Sequence, residues 1–304
     1  MFTIAPGTRV FGMQLPVQAQ STYFVADWER SSGPAEMARI ATLCDEHGYA
    51  YVAICDHVTI PQAFASGMGT QWVDPMTTLG WLAAMTERAM LLTHVYVLPF
   101  RQPEVAANQF ATLDYLSDGR AICGVGVGHV EAEFDRLGVD YHRRGAITSE
   151  RLPQLIAALE NEFVDGMGAK PRPVQSPRPP VWVGGSSNAA ITRAARLGDG
   201  WIPQGPADDE MIDLLQRERD EAGRADLPYA IGHIVPWTYV GMPPWDVGEG
   251  TISGSPDEVA AGILASTPAA VNQLQVRFRS RSADELADQV VAFATDVAPL
   301  LTKV

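Results

Sequence analysis

The sequence predicts an α/β protein built as a single (β/α)8 barrel, in which eight parallel strands alternate with eight helices over residues 1–304. Apolar runs typical of buried strands alternate with amphipathic helical segments along the whole chain. The 304 residues divide into eight such units of about 38 residues, although a rule of about 150 residues per domain suggests two domains. Hydrophobic residues make up 46% of the chain, enough for one large core. A long doubly wound sheet is the alternative.

The first four units have recognisable start and stop signals. The helix at 34–47 has helical apolar spacing and ends at Gly48, a residue type that often follows a helix. The next helix begins after Asp74, with Pro75 in its first turn. Continuous apolar runs, of the kind that parallel sheets bury, supply the strands. The predicted strands are residues 10–17, 49–55, 90–98 and 121–126, and the predicted helices are residues 34–47, a segment from 74, 103–117 and 145–163.

The last four units follow a proline-rich stretch at 170–180, which we interpret as a surface connection. The predicted strands are residues 181–184, 200–203, 230–240 and 271–278, and the predicted helices are residues 188–197, 208–222, 256–266 and 283–298. Long loops follow several strands, at 56–72, 127–144 and 241–255. In a (β/α)8 or TIM barrel such loops lie at the carboxyl ends of the strands, where active sites form.

Composition limits the partners that the protein can have. Lysine and arginine number 22 against 36 acids, a formal net charge of −14. So acidic a chain is not expected to bind nucleic acid or anionic membranes, and an anionic ligand would need a local cluster of donors. Cys44, Cys55 and Cys123 form no CxxC pair and indicate reduced thiols. With no signal-peptide pattern and no apolar run near ~18 residues, we expect a cytoplasmic protein.

An acid and an imidazole follow the second strand. Asp56 and His57 could orient one another and move protons near neutral pH, or Asp56 could cap the loop while His57 fills space. His94 lies inside the third strand, where a histidine is more often a hydrogen-bonded core residue than a catalyst. Arg101, just beyond it, is a candidate for an anion contact or for an exposed ion pair.

Two glycine-rich strand ends are candidates for ligand contact. Gly124, Gly126 and Gly128 alternate at the end of the fourth strand, where they allow close backbone approach, but their spacing is not that of a dinucleotide motif. The Gly-Gly-Ser-Ser-Asn run at 184–188 opens a helix, whose free N–H groups and dipole favour an anion. On local grounds an ordinary serine or asparagine helix cap is equally suitable.

Two further clusters leave alternatives open. The arginines at the end of the eighth strand could clamp a phosphate or carboxylate, or pair with the abundant acids; they are Arg277, Arg279 and Arg281. A metal hydrolase is another interpretation, because histidines lie in or just after four strands, at His57, His94, His129 and His233. No His-x-His pair is present, and the acids are not spaced as in known metal motifs, so we expect no metal.

Several stretches, read together, resemble the bacterial luciferase-like superfamily, and most closely its coenzyme F420-dependent oxidoreductases. The matching stretches are residues 48–57, 74–79, 98–103, 111–120, 124–128, 144–145, 170–175, 180–185 and 194–201. They occur in the order of that family, whereas the chain beyond Trp201 keeps its alternation with little diagnostic sequence.

The resemblance implies a (β/α)8 barrel with a deazaflavin or flavin on the carboxyl ends of the strands. It implies a bulge with a cis peptide bond between His94 and Val95 behind the ring, and a phosphate at the turn after the fifth strand. The implied cofactor contacts are Asp56, His94, Val95, Gly126, Val127, Gly128, Gly184, Gly185, Ser186 and Ser187.

The function implied by the resemblance is hydride transfer between coenzyme F420 and an apolar organic substrate. Asp56 and His57 would orient the ring and relay a proton, and His94 or His129 would donate to the substrate. His129 stands where sugar-phosphate dehydrogenases of the family have a catalytic glutamate, so that sugar oxidation is not carried over. The candidate substrate contacts are aromatic: Trp72, Tyr96, Phe100, Trp201 and Trp237.

The main alternative is an FMN-dependent monooxygenase of the same fold, supplied by a separate flavin reductase. Both cofactors have a phosphate and a tricyclic ring, so the sequence separates them poorly. A homodimer is expected in either case. A cofactor-binding protein without catalysis is the remaining alternative.

Overall fold

A computed structural model describes residues 1–22 and 24–301, and it forms the predicted (β/α)8 barrel. The barrel strands are β1 Val10–Gln14, β2 Tyr51–Ile54, β3 Met90–Thr93, β4 Ala121–Gly126, β5 Val181–Gly184, β6 Gly200–Ile202, β7 Ala230–Ile234 and β8 Gln273–Gln275. Each strand pairs in parallel with the next, and β8 pairs with β1. The sheet therefore closes on itself, which excludes the doubly wound alternative with its two open edges.

In the described part of the chain, eight helices surround the barrel, one after each strand. They are α1 Pro34–Glu46, α2 Pro75–Ala83, α3 Pro103–Leu116, α4 Arg144–Glu160, α5 Asn188–Leu197, α6 Asp209–Glu221, α7 Pro256–Ser266 and α8 Ala283–Ala292. Helix α2 begins where Asp74 Oδ1 accepts a hydrogen bond of 2.8 Å from the Thr77 N–H, with proline next to the cap. Shorter helical segments are Asp27–Ser31, Gln62–Phe64, Ala65–Met68, Leu98–Phe100, Glu131–Leu137, Tyr141–Arg143, Phe293–Val297 and Ala298–Leu301.

Three predicted elements are interrupted. The strand expected at 230–240 breaks after Ile234 and resumes as Thr238–Val240, because Pro236 has no N–H to donate to a strand pair. The helix expected at 145–163 ends at Glu160, since Phe163–Val164 pairs with Met167–Gly168 in a hairpin. Helix α8 changes to π geometry after Ala292, short of the predicted end at 298.

The strands separate two apolar layers, because successive strand residues point to opposite faces. The barrel interior holds Tyr51, Leu92, Ile122, Trp182 and Ile202, among others. The layer between the strands and the helices is larger and continuous around the barrel. Phe2 packs against Trp182 at 6.3 Å between ring centroids and covers the amino-terminal end of the barrel. The carboxyl-terminal end is thus the mouth that can admit a ligand.

The cysteines and the helices were also the subject of predictions. All three cysteines are buried, free thiols, and burial raises the pKa of each. Within residues 1–22 and 24–301, no helix has the length and apolar character needed to cross a membrane.

Candidate active site

The third strand is interrupted at the peptide bond between His94 and Val95, which is cis as the resemblance implied. The chain then pairs with β4 again through Tyr96–Val97. The interruption brings Val95 over two strand-end glycines. A Cβ added to Gly126 would lie 2.4 Å from Val95 Cγ2, and one added to Gly184 would lie 2.6 Å from Val95 Cγ1. These glycines therefore make room for Val95, which forms a ledge at the mouth of the barrel.

The backbone of His94 is fixed on both sides. Its N–H donates to the Ile54 carbonyl at 2.7 Å, and its carbonyl accepts from Gln14 Nε2 at 3.4 Å. Gln14 is itself held by Gln275 Nε2, which donates to Gln14 Oε1 at 3.1 Å. The His94 Nδ1 atom is buried with no hydrogen-bond partner among the described residues, and burial lowers the His94 pKa to about 4. A neutral imidazole with a buried, unpaired nitrogen is suited to a polar atom of a ligand.

Asp56 does not pair with His57, so that part of the prediction is wrong. The Asp56 carboxylate instead accepts from both terminal nitrogens of Arg101, one at 2.9 Å, and from the Val97 N–H at 2.8 Å. Burial opposes the charge on Arg101, but the bonds and charge of Asp56 outweigh it and raise the Arg101 pKa. The pair lies beneath the mouth and anchors the chain just after the Val95 ledge.

The partner of His57 is Glu133, which sequence reasoning missed. Glu133 Oε2 lies 3.0 Å from His57 Nδ1, and Oε1 accepts from the N–H groups of Val58 and Thr59. Burial opposes ionisation of Glu133, but these hydrogen bonds lower its pKa overall. One signal could have identified it: Glu133 lies in the first turn of a short helix directly after the β4 loop.

Two of the predicted residues gather around His57. The Trp72 ring centroid lies 4.3 Å from that of His57, and the His129 ring lies 5.2 Å away at an angle of 87°. Trp72 Nε1 is buried without a partner among the described residues. Partial burial, followed by the nearby His57, lowers the pKa of His129. The cluster thus places two imidazoles and an indole on the β2–β4 side of the mouth.

The turn after β5, where an anion site is predicted, is held by several hydrogen bonds. Gly185 has a φ of 121°, and its carbonyl accepts from Trp201 Nε1 at 2.8 Å. Ser186 Oγ accepts from the Gln204 N–H at 2.9 Å, and Ser187 Oγ caps helix α5 by accepting from Ala190. The first-turn N–H groups of a helix have no intrahelical acceptor and favour negative charge. The helix cap is therefore observed at Ser187, and the anion contact stays a prediction.

Burial contradicts two of the five aromatic predictions. Tyr96 and Trp201 do not reach the mouth, because both point into the layer between strands and helices and are at most 1% exposed. They are therefore not substrate contacts in this structure. Phe100 packs against Phe134, with ring centroids 4.7 Å apart. Trp72 and Trp237 lie at the mouth, although on opposite sides of it.

The four histidines considered for a metal do not converge. His233 points into the outer layer, where its Nδ1 accepts from the Ala207 N–H at 3.1 Å. Among residues 1–22 and 24–301, no group of three or more histidine, cysteine, aspartate or glutamate side chains is arranged to hold a metal ion.

Comparison with known proteins agrees with this architecture. The family model described as luciferase-like monooxygenase matches residues 13–238. An uncharacterized protein of Mycobacterium tuberculosis is 34% identical over 227 residues, which cover 67% of this chain and 79% of that protein. The F420-dependent glucose-6-phosphate dehydrogenase of Nocardia farcinica is 29% identical over 188 residues, which cover 56% of this chain and 53% of that enzyme.

A solved structure shows the same fold at low identity. The oxygenating constituent of 3,6-diketocamphane monooxygenase from Pseudomonas putida, solved with FMN, superimposes with a TM-score of 0.71 and 15% identity, covering 96% of this chain and 98% of that one. The family model covers most of the barrel, including the Val95 ledge and the turn after β5. The chain therefore belongs to the luciferase-like monooxygenase family.

Proposed function

We propose that this protein is an oxidoreductase that moves a hydride between coenzyme F420 and an organic substrate. One observation carries the proposal: a single barrel mouth combines a seat for a flat ring with a site for an anion. The seat is the Val95 ledge, with the unpaired Nδ1 of His94 next to it. The anion site is the turn from β5 into α5. F420 has a tricyclic deazaflavin ring and a phosphate, so the ledge would suit its ring and the turn would suit its phosphate.

The ring would rest on Val95, with Gly126, Val127 and Gly128 beside it, and the phosphate would meet the N–H groups of residues 184–187. When bound, F420 would supply or accept the hydride, that is, two electrons with one hydrogen nucleus. Asp56 acts here as a positioning residue, because its bonds to Arg101 and to the Val97 N–H hold the chain behind the ledge.

Hydride transfer to a carbonyl carbon also requires a proton at the oxygen, and His57 is arranged to hold one. Because ionised Glu133 only accepts hydrogen bonds, it fixes the proton of His57 on Nδ1 and leaves Nε2 free to exchange. His129 is the nearest second imidazole, and its lowered pKa keeps it neutral with an N–H to donate. The proton path of this proposal therefore runs through His57 and His129, with His94 as a further donor.

F420 is favoured over FMN by sequence similarity. The Nocardia relative is named as F420-dependent at 29% identity, whereas the FMN-bound structure at 15% identity supports the fold alone. His129 in place of the glutamate of sugar-phosphate dehydrogenases argues against the same substrate as that relative. A homodimer and a separate reductase stay predictions.

Titration of the apo protein with F420 and with FMN, followed by tryptophan fluorescence, tests the cofactor. We expect micromolar affinity for F420 and at least about tenfold weaker binding of FMN. The reverse preference would replace the proposal with an FMN-dependent monooxygenase, and binding of neither cofactor would refute it.

The proton path has its own test. Oxidation of reduced F420 by a panel of ketones and enones should slow at least about tenfold in His57→Ala, because general acid–base groups contribute about 10²-fold or more. F420 affinity should stay unchanged. The matched control is His142→Ala, since the His142 side chain is 82% exposed. Unchanged turnover in His57→Ala would assign His57 to structure.

A further inference from the structure

A cavity of about 660 Å³ opens at the carboxyl ends of β1, β7 and β8. Its size is that of a site for a small organic ligand. Gln14 lines this cavity, and the same side chain binds the His94 carbonyl beneath the ledge. The cavity is therefore next to the seat proposed for the cofactor ring and is open to a second molecule.

Two arginines in this cavity share one aromatic ring. The Cζ atoms of Arg277 and Arg279 lie 4.8 Å and 4.3 Å from the ring centroid of Trp237. Arg277 Nε donates to the Val235 carbonyl at 3.0 Å, and Arg279 Nε is buried without a hydrogen-bond partner among residues 1–22 and 24–301. Burial lowers the pKa of both groups, and Arg279 lowers that of Arg277 further. Both nevertheless remain cationic, because arginine does not lose its proton in proteins.

Neither cation has an acidic partner within the described part of the chain. Two acids line the same cavity but are engaged elsewhere: Glu29 accepts from the N–H groups of Val17 and Ala26, and Asp27 lies 3.9 Å from Arg30. The chain carries 36 acids against 22 bases, so partners are not scarce. Two adjacent, uncompensated cations oppose folding, which points to a ligand that supplies the missing charge.

We propose that Arg277 and Arg279 bind the oxyanion of the substrate, a carboxylate or a phosphate ester on a planar body that packs near Trp237. This inference rests on the proposed function, because it places the substrate beside the cofactor seat. The turn proposed for the cofactor phosphate follows β5, three strands away from β8, so the cofactor's own anionic end would lie across the mouth. A guanidinium pair matches a planar oxyanion through bidentate hydrogen bonds. The proposed substrate is thus not simply apolar: it has an aromatic or conjugated body and one anionic group.

Isothermal titration of the apo protein with benzoate, phenyl phosphate and neutral benzyl alcohol tests the site without any cofactor. We expect both anions to bind at least about tenfold more tightly than the alcohol, since charge-assisted hydrogen bonds are the stronger ones. The tighter of the two identifies the oxyanion. Arg277→Gln and Arg279→Gln should each weaken binding of the anions at least about fivefold and leave the affinity for the alcohol unchanged. Equal binding of anions and alcohol would overturn the proposal.

The matched control is Arg196→Gln, which removes the same charge from an exposed pair with Glu218 and Glu221 on the outer face. Arg196→Gln should change the affinity for the anions by no more than about twofold. If it weakens anion binding as much as Arg277→Gln and Arg279→Gln do, the effect comes from the net charge of the protein and not from a specific contact. If a glutamine variant does not fold by circular dichroism, Arg277→Lys and Arg279→Lys retain the charge but not the bidentate geometry. They should still weaken benzoate severalfold, and unaltered binding would contradict the proposed contact.

The cofactor titration separates failure of this inference from failure of the proposed function. Cofactor binding without anion selectivity would overturn only the arginine site, and anion selectivity without cofactor binding would overturn only the proposed function. If Arg277→Gln and Arg279→Gln weaken the binding of F420 but not that of FMN, the arginines bind the carboxylate tail of F420. Their assignment to the substrate is then wrong.

Discussion

Two arginines near the mouth, Arg101 and Arg279, each stack on an aromatic ring, but only Arg101 has an acidic partner among the described residues. The Arg101 Cζ lies 4.4 Å from the ring centroid of Tyr96, and the Arg279 Cζ lies 4.3 Å from that of Trp237. Arg101 is neutralised by buried Asp56, whereas Arg279 has no acidic partner in the described residues. A compensated charge builds the scaffold, and an uncompensated charge indicates where a ligand must complete the site. Stability should respond to changes at the first, and ligand affinity to changes at the second.

The largest effect is expected from breaking the compensated pair. Asp56→Asn leaves Arg101, with only 15% of its side chain exposed, the half-exposed Asp74 carboxylate at 4.0 Å as its remaining acid among the described residues. The loss of the closer partner should lower the free energy of unfolding by about 3 kcal/mol. Urea denaturation measures this loss. Arg101→Gln in the same chain should restore part of it, because the poorly compensated cation is then gone.

The exposed pair supplies the control for that measurement. Arg196→Gln should leave the free energy of unfolding almost unchanged, since surface ion pairs contribute little. A comparable small loss in Asp56→Asn would show that Asp56 is not the compensating group, and would break the distinction between the two sides.

The same distinction applies to histidines. His57 has a carboxylate partner, whereas His233 is 1% exposed and has no carboxylate partner among the described residues. Burial lowers the pKa of His233 to about 4. As the pH falls from about 6.5 to 4, the unfolded chain takes up a proton that folded His233 does not, so stability decreases with decreasing pH. The decrease attributable to His233 is at most about 3 kcal/mol.

His233→Asn should remove this contribution while keeping an acceptor for the Ala207 N–H. Urea denaturation at pH 7 and at pH 4 should then show a smaller difference than in the wild type. His142→Asn, at an exposed position, should leave the difference unchanged. If the stability difference between pH 7 and pH 4 is as large in His233→Asn as in the wild type, His233 has the same pKa in the folded and unfolded states.

An intermediate effect is expected where the ledge meets β4. Gly126→Ala would place a Cβ 2.4 Å from Val95 Cγ2, and such overpacking costs about 1–3 kcal/mol. F420 affinity should fall with it. Adding Val95→Ala removes the colliding methyl groups and should restore stability. Gly80→Ala is the control, because a Cβ there meets nothing within 4 Å. A double variant as unstable as Gly126→Ala would locate the cause elsewhere.

The barrel was predictable because each element carries local signals. Strand β4, strand β5 and helix α7 begin and end at the predicted residues, since apolar alternation and caps are written into adjacent positions. The pairing of His57 with Glu133 could not be predicted, because 76 residues separate them. In addition, the chain neighbours Asp56 and His57 bind different partners. Trp201 failed for a related reason: an aromatic residue in a strand does not state which side of the sheet it faces.

The smallest of these effects tests the proton path on the scaffold side. Glu133→Gln keeps an acceptor for the Val58 and Thr59 N–H groups, but its amide would donate to His57 Nδ1 and move the imidazole proton to Nε2. Turnover with reduced F420 should fall about tenfold, with little change in KM and a larger solvent isotope effect.

A merely structural role for Glu133 would change stability and KM without altering the isotope effect. The control is Glu131→Gln on the same short helix, where the exposed carboxylate lies 3.5 Å from His142. If Glu131→Gln and Glu133→Gln slow turnover equally, the helix as a whole matters and the His57–Glu133 pair does not. If Glu133→Gln alone raises the isotope effect, the carboxylate of Glu133 acts in proton transfer as well as in stability. The difference from Arg277 and Arg279 is then only that Glu133 has its partner within the protein, whereas the two arginines need a ligand to supply theirs.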